Sequence, residues 1–85
     1  MNTHYSSLGQ ILMSPESYLT VPAKTGVDVE IWVYSQSGRL ISYITGKSLS
    51  EKYVCLCKNK NGTDMASIAV VNIEEVSYVY KIKRA

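Results

Sequence analysis

The sequence predicts an all-β domain: a small five-stranded, strongly bent antiparallel barrel behind a short N-terminal helix. Three observations carry this reading. Apolar residues alternate with polar ones at period two from Val27 onward, turn residues recur between the alternating runs, and no segment holds a three-turn amphipathic helix. The 85 residues make one domain, 1–85, with 1–26 as an N-terminal helix or cover and 27–83 as the barrel. A two-layer sandwich would need more strands and more chain.

The elements follow in order. Ser14-Pro15-Glu16-Ser17 has the form of a helix start, with a hydroxyl cap, proline at the first helical position and an acid in the first turn. Pro22 limits that helix to one or two turns. In the first strand Val27, Val29, Ile31 and Val33 alternate with Asp28, Glu30, Trp32 and Tyr34, which predicts one buried face. Ser35 to Gly38 supplies a turn, with glycine free to take positive φ. The second strand is RLISYIT, and Gly46 reads as a bend or bulge at its end. KSLSEK, residues 47–52, is a polar loop before the third strand, YVCLCK. Lys58 to Asp64 reads as an Asn-Gly turn, MASIAVV as the fourth strand, and VSYVYKI as the fifth after a break at residues 72–75.

Nine basic residues against seven acidic ones give a net charge of +2, too little to mark a nucleic-acid binder alone. No run approaches the ~20 apolar residues that span a bilayer, so no membrane association is expected. The N-terminus lacks the basic and apolar regions of a secretory signal, and the expected location is the cytoplasm. Cys55 and Cys57 are too few for a tetrahedral zinc site and are expected to be free thiols. His4 is the single histidine and the acids are scattered, so no enzyme, metal or cofactor is expected.

The order of helix and five strands, with a very short break before the last, resembles the Sm/LSm (Hfq-like) family, including small phage-type Sm-like proteins. Gly38 follows strand one and Leu56 closes strand three 18 positions on, as in the family's first motif. NIEEVSYV, with Val76 and Val79, resembles the second. Leu49 and Tyr53 stand where the family carries Asp and Asn, and Asn72-Ile73 where it carries Arg-Gly. The same elements also fit an SH3-like or OB-like barrel.

The resemblance implies non-catalytic binding of single-stranded nucleic acid, RNA before DNA, by a homo-oligomeric ring of about five to seven subunits. Lys52, Tyr53 and Asn72 would line its pore with Lys47 beside them, a tyrosine stacking on a base while lysines meet phosphates. The tail residues Lys81, Lys83 and Arg84 would add phosphate contacts. In the family, strand five of one subunit pairs with strand four of the next. That implies an interface of Val76, Tyr78, Tyr80 and Ile82 against Ile68 and Val70, the last strand being an unshielded edge. The alternative is a structural or protein-interaction ring with no nucleic-acid ligand.

Overall fold

A computed structural model describes residues 9–57 and 65–85. The chain is all-β, with seven strands and no helix among the described residues. They are β1 (Gly9–Met13), β2 (Tyr18–Pro22), β3 (Asp28–Ser35), β4 (Leu40–Lys47), β5 (Lys52–Leu56), β6 (Ala66–Ile73) and β7 (Val76–Arg84). They form one sheet in the order β4-β3-β6-β7-β1-β2-β5. All neighbours are antiparallel except β1 and β7, which run parallel from Gly9↔Tyr80 to Met13↔Arg84.

This corrects the expected five strands and N-terminal helix. Ser14 to Ser17 is the turn of the β1–β2 hairpin: the Ser14 and Ser17 amides donate to the Tyr18 and Ser14 carbonyls at 2.9 Å, and the Tyr18 amide donates to Ser14 Oγ at 3.1 Å. A hydroxyl followed by proline serves a turn as well as a helix start, because proline's fixed φ suits both. Ser17 takes φ 72° and lets the chain re-enter the sheet. The third expected strand, now β5, ladders onto β2 rather than onto its sequence neighbour β4. The Ser35–Gly38 turn forms as expected, with Gly38 at φ 89°. The turn read over residues 58–64 and the tail histidine, His4, lie outside the described residues.

The sheet curls until its two ends, β4 and β5, face each other without a backbone ladder between them, giving a nearly closed barrel. Side chains seal the seam. Tyr53 turns inward onto Gly46, its hydroxyl 3.4 Å from the Thr45 carbonyl. A Cβ at Gly46 would lie 2.1 Å from Tyr53 Oη, so only glycine admits the ring. Gly46 therefore marks a close approach, not a bulge; its ladder to Val29 is regular, and the irregularity in the β3–β4 pair falls between Val33 and Tyr34. Fully buried Ser48 ties the β4–β5 loop down, donating to the Ser50 and Lys52 carbonyls at 2.6 and 3.1 Å.

Period two then sorts the side chains. Inward positions supply Ile11, Met13, Leu19, Val21, Val29, Ile31, Val33, Cys55, Ala69 and Val71, all buried. Ile44, Tyr53, Tyr80 and Ile82 pack partly against them.

Candidate interaction surface

The sheet's outer face carries a second set of apolar residues. Register places Tyr43, Trp32, Val70 and Val79 side by side across β4, β3, β6 and β7. The Trp32 and Tyr43 rings are 5.3 Å apart and tilted by 42°, and Tyr43 remains about half exposed at 52%. Its hydroxyl donates to the Glu30 carboxylate, which raises the phenol above its ordinary pKa because ionising it would lose that bond. One repeat along the strands, Leu40, Tyr34, Ile68 and Lys81 form the next row. One repeat the other way come Thr45, Glu30, Asn72 and Ser77.

The strand polarity divides charge along this face. Beyond the Glu30 row lies a cleft of about 580 Å³ in which Asp28, Glu30, Glu74 and Glu75 outnumber the single cation Lys47. Lys47 sits 3.9 Å from Asp28 with both side chains largely in water, so the pair is heavily screened. Glu74 and Glu75 form the two-residue β6–β7 turn at φ 51° and 67°, where glycine, asparagine and aspartate are usual. Asn72 Oδ1 is buried with no hydrogen-bond partner. At the opposite end, β7 presents Lys81 and Lys83, opposite Gln10 and Leu12 of β1.

The residues singled out from sequence separate accordingly. Lys47 and Asn72 share the acidic cleft, a poor environment for phosphate. Lys52 and Tyr53 point to opposite faces of β5, and Tyr53 packs on the core. Arg84 folds back, with Nη2 3.3 Å from the Ala66 carbonyl and Nη1 3.7 Å from Met13 Sδ. The expected interface set divides between two faces: Ile68 and Val70 point outward, whereas Tyr80 and Ile82 pack on the core. Nor is β7 an edge. It ladders onto β6 from Val76 to Lys81 and onto β1 from Tyr80 to Arg84, so its first residues lack a neighbour on the β1 side and its last on the β6 side. At its start Val76 and Tyr78 open into a cleft of about 490 Å³ beside Pro22 and Ala23, with Tyr78 and Tyr80 stacked at 6.3 Å.

Cys55 and Cys57 are free and buried. Burial pushes the Cys55 thiol up to about 11, and Cys57 also rises by burial, opposed by a hydrogen bond to Ser42 and by the Arg84 charge. No group of three or more His, Cys, Asp or Glu residues placed to hold a metal occurs among the described residues. Among the described residues, no helix is long and apolar enough to cross a membrane. Comparison with protein-family models, with curated proteins and with solved structures gives no match.

Sequence reasoning missed Trp32 and Tyr43 as site residues, although alternation already placed Trp32 opposite the valines of its strand. Two aromatic residues on the face turned from the core were the available signal.

Proposed function

We propose that this protein is a non-catalytic interaction module that docks a protein partner on the outer face of β4, β3, β6 and β7. The observation that carries the reading is the contiguous Tyr43–Trp32–Val70–Val79 row, which adds nothing to the inward core. Aromatic and aliphatic side chains with polar ends of this kind characterise the centres of protein interfaces. Trp32→Lys and Val70→Lys test it. Outward residues that serve docking can take a lysine with the melting temperature of dilute protein within a few degrees of the parent. A fall of about 10 °C or more would make the row part of the protein's own core and end the reading.

Single-stranded nucleic acid is the second reading, favoured by Lys81 and Lys83 standing on the same outer face as Trp32 and Tyr34. Bases would stack on the rings while the lysines met phosphates. It expects oligo(U) binding that weakens as salt rises and is lost in Trp32→Lys; no binding at low salt excludes it.

A further inference from the structure

We infer that the partner of this face is a second copy of the chain, packed face to face about a twofold axis running along the Trp32–Val70 row. The inference rests on the docking reading above and adds the occupant and its orientation. The face is graded along the strands: Asp28, Glu30 and the Glu74–Glu75 turn at one end, the apolar row in the middle, Lys81 and Lys83 at the other. Successive rows lie about 6.8 Å apart, so the apolar row sits at the centre of the gradient.

Two sheets can face each other with strands running the same way or opposite ways. The same way keeps each row level with itself but reverses the strand order, so acidic rows meet acidic rows while Lys81 and Lys83 of β7 fall on the β4 side near Leu40 with no carboxylate opposite. The opposite way sets the apolar row on itself and each acidic end over a basic end. One axis, perpendicular to the strands and in the plane of the interface, does this for both ends at once, as an isologous contact requires. It lays β7 antiparallel over the other copy's β7, with Lys83 above the Glu74–Glu75 turn. Lys81 then stands over the row that contains Ser77 and Asn72.

The area is small, and the curl of the sheet makes its flat projection an upper bound. Four strands about 4.8 Å apart and eight residues long cover roughly 500 Å² in projection, or about 1,000 Å² for the pair. That is near the floor for a specific interface, so the association is expected in the micromolar range.

Sedimentation of the intact chain over a wide concentration range tests the inference, with Trp32 emission as a second readout. The expected result is a reversible shift from 9.5 kDa to twice that mass, and a blue shift of the tryptophan. Lys83→Glu and Glu75→Lys should each weaken association at least tenfold, since either places like charges at both ends. Mixed together they should dimerise with each other, because the twofold then pairs opposite charges at both ends. A parent chain that stays monomeric at millimolar concentration overturns the second-copy proposal, and it leaves docking standing if Trp32→Lys folds normally. Salt-sensitive oligo(U) binding by such a monomer would transfer the face to nucleic acid. A dimer indifferent to both charge reversals, or a mixture that fails to associate, overturns the antiparallel geometry.

Discussion

The β6–β7 turn offers the sharpest physical test. A two-residue hairpin turn with both central residues at positive φ is built by Asn-Gly or Gly-Gly in most proteins; here Glu74 and Glu75 occupy it at φ 51° and 67°. A left-handed conformation costs an ordinary L-residue about 1–2 kcal/mol, and glycine avoids that cost. Replacing the pair (Glu74→Asn with Glu75→Gly) therefore relieves roughly 2 kcal/mol of strain. Glycine's extra freedom in the unfolded chain takes back about 0.5–1 kcal/mol. Removing two carboxylates from a cleft that also holds Asp28 and Glu30 returns a few tenths. The net expectation is a gain of about 1–2 kcal/mol, or roughly 4–15 °C in Tm for a domain this small.

Urea unfolding followed by Trp32 fluorescence, at dilution and neutral pH, reads this directly. An unchanged or lower midpoint at constant slope would show that the turn is unstrained and refute the reasoning. A stabilised variant that no longer self-associates would show what the two glutamates are kept for: natural chains hold strained residues where function uses them.

Two further outcomes are expected. Gly46→Ala forces the Tyr53 ring off β4, at about 1–3 kcal/mol in chemical denaturation, whereas in a Tyr53→Ala background the same substitution should be near neutral; equal costs in both backgrounds would mean the ring is not what Gly46 accommodates. The Cys55 thiol stands raised to about 11 against an ordinary 9.0, so its neutral form is the folded one. Its stabilisation is complete below pH 9 and lost as pH climbs through 11, and Cys55→Ala should flatten that part of the stability–pH curve relative to the parent.

Legibility from sequence followed the range of the interaction that decided each feature. The alternation at Val29, Ile31 and Val33 and the Ser35–Gly38 turn are local, and both formed as read. Ser14-Pro15 is local too but ambiguous, because its cap chemistry serves a helix start and a hairpin turn equally. The run Ile11-Leu12-Met13 hid a strand because Leu12, at an outward position, is as apolar as its buried neighbours. The β5–β2 ladder and the Tyr53–Gly46 seam join segments by tertiary packing that no periodicity encodes. At the site, the outward direction of Asp28, Glu30 and Trp32 was readable, but the gathering of Asp28 and Glu30 with Glu74 and Glu75 depended on β6 lying beside β3.

Aromatic residues on the outer face are not evidence of docking by themselves. Among the described residues the fully buried core is Leu, Ile, Val, Met, Ala and Cys, and the inward rings Tyr53 and Tyr80 pack on it only partly buried. Tyrosine and tryptophan also suit strands, so some must point outward. What separates the outer row from such overflow is its company. Overflow aromatics would be dispersed among charged residues, as solubility favours. Trp32 and Tyr43 instead lie against Val70 and Val79, with Ile68, Tyr34 and Leu40 one repeat away, and the charges on either side of this row, Glu30 and Asp28 one way and Lys81 and Lys83 the other, are of opposite sign. Solubility alone would not produce that grading. A surface that must recognise its own copy in one orientation would.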